Sequence, residues 1–445
     1  MVGQVFVLVP SQRREILVME KGSAGRVFKE PSKALSFIAR QKSATVLGIM
    51  GGHGQNLFAR VLASGNPVYR IPIYRLIDAG LETGSSASDR ALALIGLWEE
   101  NPDLFYQMRN IDPTMLLIRE LTRQRLNIQD FRKPATNQLH FALRDLEFIL
   151  PQEARSLIEL LRKGLKELFS QAATRQEIEE EFERLQEEVA LTDVQQARIF
   201  SIRKFFSNPQ FIRGAKEDEK ELEARITSLL RGTEIFAWLN PKESRLPSIK
   251  GLGPSLGGSI ISEILDIRRF PSPSDLRAYA RFHVAEDGGF PRRKAGQISP
   301  WNRYLDRAVW LWSTDQVARY KHIWRELYLW KKAKEIQAHP EPVARESTTR
   351  NKKKTVYDFT LKHIDSRAKR WVGSQMLEYL WGLWWTIEKG ENPEDWYQSS
   401  AWPVLFSRVA GELNAGLSSY LEQEIDKRKK REPEDVQNEE QEEDF

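Results

Sequence analysis

β-Branched runs alternate with helical stretches through the first hundred residues and then stop, and this change of texture limits the fold more than any other feature. Val5-Phe-Val-Leu-Val9 is a strand-type run, and Glu15-Ile-Leu-Val-Met-Glu20 follows it across a short polar turn. A helix predicted from Pro31 to Arg40 leads to a strand from Ala44 to Met50. A helical stretch, Gln55 to Ser64, and a strand, Pro67 to Ile73, come next. Two hairpin-like strands followed by alternating helices and strands predict a mixed α/β sheet with helices on its faces. A ribonuclease-H-like sheet has this order, as do other α/β folds.

From Pro113 the pattern is helical. Asp112-Pro113 is a strong helix start, with an acid at the cap and proline in the first turn. Ile158, Leu161, Leu165 and Leu168 form a heptad seam, repeated by Ile178, Phe182, Leu185 and Val189. Joined at Gln171-Ala-Ala-Thr174, the two segments predict a helical hairpin or coiled-coil arm, with a plain helical bundle as the alternative. After the turn-rich Pro241 to Leu246 a third helical region runs to about Ile387. Within it, the basic stretch Glu346 to Thr355 reads as an exposed loop. The aromatic-rich run from Trp371 to Trp385 reads as a buried packing helix, rather than one lying on a membrane. A charged helix from Glu422 ends in an acidic tail expected to be disordered. The expected regions are therefore 1–112, 113–240, 241–390 and 391–445.

Composition excludes several chemistries. The chain has no cysteine, so disulfides, thiolate metal sites and a cysteine nucleophile are absent. Its six histidines are scattered. No apolar run reaches membrane-spanning length and Met1 to Val9 is not patterned as a signal peptide, so a cytoplasmic protein is expected. The net charge is +5, but residues 432–444 carry eight acids and no base, so the remainder stands at +13. A body this basic favours a polyanionic partner, since binding releases condensed counterions.

The strongest local signal is Ile249-Lys-Gly-Leu-Gly-Pro-Ser-Leu-Gly-Gly-Ser-Ile-Ile261, which has the form of a helix-hairpin-helix. Gly251 and Gly253 permit a tight turn and close approach of the main chain to a phosphate. The amides near Ser255, Gly257 and Gly258 open a helix and can point at an anion, and Lys250 adds a charge. Such contacts grip backbone without reading sequence. The bland alternative is a glycine-rich turn between helices with no ligand. Downstream, Arg268, Arg269, Arg277, Arg281, Arg292, Arg293, Lys294, Arg303 and Arg307 are interleaved with Phe270, Tyr279, Phe282, Phe290, Trp301 and Tyr304. For the aromatics a core role is favoured. For Arg292, Arg293 and Lys294, a solvated binding loop is favoured. Arg367, Lys369 and Arg370 are candidates to extend a phosphate surface.

Four segments in order, Ile249 to Pro254, Glu263 to Ser272, Leu276 to Ala280 and Gly296 to Leu305, resemble the C-terminal domain of the DEDD transposases (the insertion-sequence family called one-ten) and the related Piv-type DNA invertases. Gly51-Gly52, Leu57 to Ala63, Asn66 to Tyr69 and Ser88-Asp89-Arg90 resemble that family's N-terminal half more weakly. The resemblance implies a RuvC-like sheet domain, a helical coiled-coil arm and a helical C-terminal transposase domain. It also implies DNA as partner, with a structured guide RNA as a second, and four Mg2+-binding acids acting with a nucleophilic serine. Homo-oligomerisation through the arm is expected as well. This sequence departs from the pattern. The expected acids fall near Leu8, on Gly48, on Asp89 and on Leu92, and the serine region corresponds to about Gly288-Gly289. A chain that binds nucleic acid but has lost the cutting and joining chemistry is therefore expected, with no cofactor. The alternatives are a working recombinase with relocated residues, drawing on Asp78, Glu82, Glu99, Asp103 or Ser299 with Mg2+, and a protein-interaction scaffold.

Overall fold

The computed structural model describes residues 4–10, 15–41, 44–50, 55–72, 75–76, 79–80, 86–109, 112–149, 155–167, 173–188, 196, 210–239, 241, 244–284, 289–292, 301–316, 321–349 and 352–431. Its contacts form two units, one of residues 1–119 with 229–445 and the other of residues 120–228. The molecule is mostly helical, with an N-terminal mixed α/β sheet and a helical C-terminal region.

The sheet is built from β1 (Val5–Pro10), β2 (Ile16–Glu20), β3 (Arg26–Phe28), β4 (Thr45–Met50), β5 (Val68–Pro72) and β6 (Tyr106–Gln107), in the order β3-β2-β1-β4-β5-β6. β1, β2 and β3 form an antiparallel meander, β4 and β5 extend it in parallel from β1, and β6 closes the edge antiparallel. Runs such as Val-Phe-Val-Leu-Val are apolar on both faces, as a strand covered on both sides requires. Helix α3 (Ala87–Glu100) covers one face, where Val5, Val7, Val9, Leu47 and Ile71 meet Ala91, Leu94 and Ile95. Helices α1 (Pro31–Ala39) and α2 (Gln55–Ala63) cover the other, with Phe37 edge-on to Phe6 and Phe58 against Gly48. The short β3 and β6 carry too few residues to show a period, and the sequence did not reveal them.

Helix α4 (Asp112–Ile149) has 38 residues with Pro134 inside it, and from Glu120 on it belongs to the second unit. It lies antiparallel to α7 (Gln210–Arg231), held by Arg125–Glu223 at 3.3 Å and a two-pronged Arg132–Glu219 contact at 2.5 and 3.3 Å. Helices α5 (Arg155–Glu167) and α6 (Ala173–Glu188) pair antiparallel, with Ser156 on Glu181 and Lys163 on Glu177. Ile158, Leu161, Ile178 and Phe182 of the expected seam are buried, joined by Leu157. The joining residues Gln171 and Ala172 lie outside the described residues.

The C-terminal region comprises α8 (Glu234–Leu239), α9 (Pro254–Ile264), α10 (Pro273–Tyr279), α11 (Arg303–Leu311), α12 (Ile323–Ala338), α13 (Leu361–Glu388), α14 (Pro393–Ser399), α15 (Trp402–Glu412) and α16 (Ser418–Arg431). Helix α13 is the buried packing helix expected, with Val372, Met376, Leu377, Tyr379, Leu380, Leu383 and Trp384 in the core. No helix among the described residues is long and apolar enough to cross a membrane.

The basic stretch expected as a loop is instead a β-hairpin. β7 (Val343–Thr349) pairs antiparallel with β8 (Lys352–Asp358) in unbroken register from Val343↔Asp358 to Thr349↔Lys352. Val343, Thr348, Thr349, Thr355, Val356 and Tyr357 supply the strand preference. The ribbon leaves even Val343 half exposed, so its low hydrophobicity resembled that of a loop. The acidic tail from residue 432 lies outside the described residues.

Candidate nucleic-acid interface

The glycine motif makes a turn with two buried anchors. Ile249 and Leu252 are fully buried, and the Ile249 carbonyl accepts from the Leu252 amide at 3.2 Å. Gly251 sits between them at φ +88°, the left-handed conformation that the third residue of a type II turn requires. Lys250 is thrown outward by the same turn. Indole N–H groups fix the carbonyls on either side: Trp312 donates to Lys250 at 2.9 Å and Trp324 to Ser248 at 3.1 Å.

Gly253 then caps α9, exposed, in extended backbone with open space where a side chain would stand. Pro254 occupies the first helical position. The Gly257 amide closes the first turn onto the Gly253 carbonyl at 2.7 Å, which leaves the Ser255 and Leu256 amides as the unsatisfied donors of the helix start. Ser255 has a buried hydroxyl oxygen with no hydrogen-bond partner. Gly257 and Gly258 are buried, and a side chain at Gly257 would press on the Leu252 carbonyl and the Phe236 ring. Their smallness serves packing. Before the turn, helix α8 ends at Leu239, and residues 244–249 are not helical. The first helix of the expected hairpin motif therefore does not abut the glycines.

The other candidates separate into tethered and open side chains. Arg268 binds Asp266 at 2.6 Å, Arg269 is buried on the Ile264 carbonyl at 2.5 Å, and Arg277 reaches Glu378 at 3.1 Å. Arg292 and Arg303 are exposed. Helices α9 and α11 are antiparallel, since Asn302 binds Glu263 at 2.7 Å while Trp312 reaches Lys250. Arg303 therefore lies one helix length from Lys250, about 15 Å away. Arg293, Lys294, Gly288 and Ser299 fall outside the described residues. Of the later bases, Arg367 is held by Glu335 at 2.8 Å and Lys369 by Asp365 at 2.6 Å. Phe270 and Phe282 are buried, as a core role predicts.

Much of the segment from Glu263 to Asn302 is internal carpentry that the sequence did not reveal. Leu265 stands at φ 65°, ψ −61°, with the Asp266 amide bonded to the Ile264 carbonyl at 2.8 Å, a rare and strained tight turn. Asp266 is buried and receives Tyr106 at 3.2 Å from the sheet edge. Ser272 and Asp275 cap α10 reciprocally, and Arg75 reaches Asp275 at 3.4 Å. Trp381 and Trp385 both donate to the Phe270 carbonyl, at 2.8 and 3.1 Å.

In the sheet domain three of the four expected acid positions, Leu8, Gly48 and Leu92, carry no acid. Leu8, Gly48 and Arg70 are register neighbours on β1, β4 and β5. Leu8 and Arg70 are fully buried. A side chain at Gly48 would start 2.1 Å from the buried Phe58 ring. Asp89 closes a capping box at the start of α3, accepting from the Ser86 amide at 3.0 Å and the Ser86 hydroxyl at 2.7 Å. Those bonds hold its carboxyl below the usual range. Leu92 is exposed on the next turn. Glu99 pairs with Lys21, and Asp103 opens a short 3-10 helix. Asp78 and Glu82 lie outside the described residues.

A family model described as transposase IS116/IS110/IS902 matches residues 243–329, the span that contains the glycine turn, α9, α10, α11 and the start of α12. No curated protein matches the chain.

Proposed function

We propose that this is a transposase-type DNA-binding protein that grips the sugar-phosphate chain at the 249–258 turn and no longer performs metal-dependent cutting and joining. The observation that carries the first half is the coincidence of the transposase-family match with an exposed turn. There Lys250 and the bare backbone of Gly253 are exposed next to the first turn of α9, whose Ser255 and Leu256 amides make no intrahelical bond. Arg292 and Arg303 are further exposed cations within the family-matched span, Arg303 about 15 Å from Lys250. The turn acts as a helix-hairpin-helix would, although α8 stands back from it. It positions the duplex without reading bases.

The second half rests on the sheet. Its antiparallel meander extended by parallel strands supports the ribonuclease-H-like, RuvC-like reading. A divalent ion of the Mg2+ type needs several hard oxygen ligands. The candidate positions offer Leu8, a Gly48 whose side-chain space is filled by Phe58, an Asp89 committed to a helix cap, and Leu92. These residues do not fit the ion. Self-association through the α5–α6 pair belongs to the same proposal, and a monomer in sedimentation would remove it.

Fluorescence anisotropy with a labelled 30-bp duplex at several salt concentrations tests binding, with a structured RNA of equal length alongside. Binding should weaken steeply with salt, and Lys250→Glu should weaken it on every sequence. Salt-independent binding, or none to either polymer, refutes the first half. Mg2+-dependent strand transfer abolished by Asp89→Ala refutes the second.

A further inference from the structure

Arg370 is a half-buried cation that has no counter-ion of its own among the described residues. It projects from α13 into a cage of three rings, 4.5 Å from the Phe290 centroid, 5.1 Å from Trp310 and 6.0 Å from Phe282. Its Nη1 is shielded from solvent and has no hydrogen-bond partner. Asp306 on α11, whose charge acts on Arg370, is bound by Arg281 instead, at 3.1 Å. Arg281 is fixed further by its Nε on the Pro291 carbonyl at 2.9 Å and lies 5.0 Å under the Trp301 ring. Its backbone holds φ +62°. The cage is rigid as well: Phe282 packs so closely on Gly373, one turn beyond Arg370, that a side chain there would start 2.4 Å from the ring.

Among the described residues the charges do not balance, because two guanidinium groups share the Asp306 carboxylate. Aromatic faces offset part of the cost of desolvating a cation, but they satisfy no N–H donor. Burial, then the charge of Arg281, draws the Arg370 pKa below its ordinary value. Burial also raises the Asp306 carboxyl, although Arg281 opposes this. Lys369 and Arg367, its neighbours on α13, each have an acid. Arg370 alone among these three bases faces an open requirement.

We propose that Arg370 and Arg281 form a phosphate socket: a planar N–H fork held by rings, with a second guanidinium beside it, takes a phosphate oxyanion where no acid among the described residues pairs with Arg370. Guanidinium forks match phosphate geometry in two-pronged fashion. The source of that phosphate is either a polynucleotide backbone, which rests on the proposed function, or a free phosphate compound, which does not.

The test is Arg370→Met in the full chain, since methionine fills the cage without charge. Duplex binding should weaken about tenfold, the loss expected for one charge-assisted contact. The slope of log affinity against log salt should fall by about one. In parallel, inorganic phosphate and a nucleoside 5′-monophosphate are titrated against thermal unfolding. An Arg370-dependent rise in Tm with either of these, without polynucleotide binding, assigns the socket to the free compound and refutes the DNA reading instead. Lys250→Glu weakening DNA binding while Arg370→Met changes neither affinity, salt slope nor phosphate protection overturns the socket and leaves the DNA reading standing. A lowered Tm for Arg370→Met with all binding unchanged also overturns it, as a purely structural arginine.

Discussion

Gly48→Ala puts the argument about the sheet at risk with a single methyl group. In an ordinary strand the change is favourable by about 0.5–1 kcal/mol, because alanine gives up less chain entropy. Here the new carbon would start 2.1 Å from one carbon of the Phe58 ring and 2.3 Å from another. Phe58 is fully buried and cannot swing into solvent. Either β4 or α2 must shift, and overpacking of this kind costs about 1–3 kcal/mol. The contact is far inside normal distances, so the upper end is expected. Phe58→Ala alone should cost about 3–5 kcal/mol, yet in that background Gly48→Ala should become neutral or stabilising. The double-mutant cycle should therefore show a favourable coupling of about 3 kcal/mol. Urea unfolding followed by circular dichroism measures the global term, and hydrogen exchange of peptides covering 44–50 reports on β4 directly. Gly48→Asp would meet the same ring and also bury a carboxylate, so it should unfold the sheet domain rather than restore a metal ligand. If Gly48→Ala is as stable as the parent chain with unchanged exchange in β4, the claim that Phe58 occupies the place of an acid is wrong.

Other expectations follow from local geometry. Gly251→Ala must hold φ near +88°, so it should cost about 1 kcal/mol and weaken duplex binding, read by melting and anisotropy together. Trp312→Phe keeps the ring but removes the donor to the Lys250 carbonyl; it should weaken DNA binding more than it lowers Tm, and the reverse order would contradict the turn's role. For Glu219, burial alone would raise the carboxyl, but hydrogen bonds from Arg132 and Gln129 hold it below its ordinary 4.5. A depressed folded pKa means stability that is present above the unfolded value and lost as pH falls through the folded one. The α4–α7 pair should therefore weaken below about pH 4.5, a loss missing in Glu219→Gln, which should itself cost about 2 kcal/mol at neutral pH. Asp89→Ala should fray the start of α3, seen by hydrogen exchange, and leave nucleic-acid binding unchanged.

Strands with uninterrupted β-branched runs were legible from composition and order alone, because a two-sided core demands apolar residues at every position. β3 and β6 were not, since two or three residues joined by pairing have no period of their own. The 343–358 ribbon was hidden for the opposite reason: a hairpin that buries little can be almost entirely polar. The turn at 251–253 was legible because glycine marks positive φ and close approach. The condition of Arg370 was not, because Phe282, Phe290 and Trp310 reach it from three separate stretches of chain. Arg367 and Lys369 show the limit in reverse, as a basic cluster in sequence proved to be mostly neutralised by acids about thirty residues upstream or one turn away.

The indoles that hold main-chain carbonyls bear on how the family-matched span could be handled as a piece. Trp381 and Trp385 hold the Phe270 carbonyl from a helix that begins more than thirty residues after position 329, and Tyr106 reaches Asp266 from the first hundred. A fragment trimmed to the borders of that span would leave those polar groups without their partners and open the floor beneath the turn. Transplanting the turn into another scaffold would therefore require bringing α13 and the sheet edge along with it.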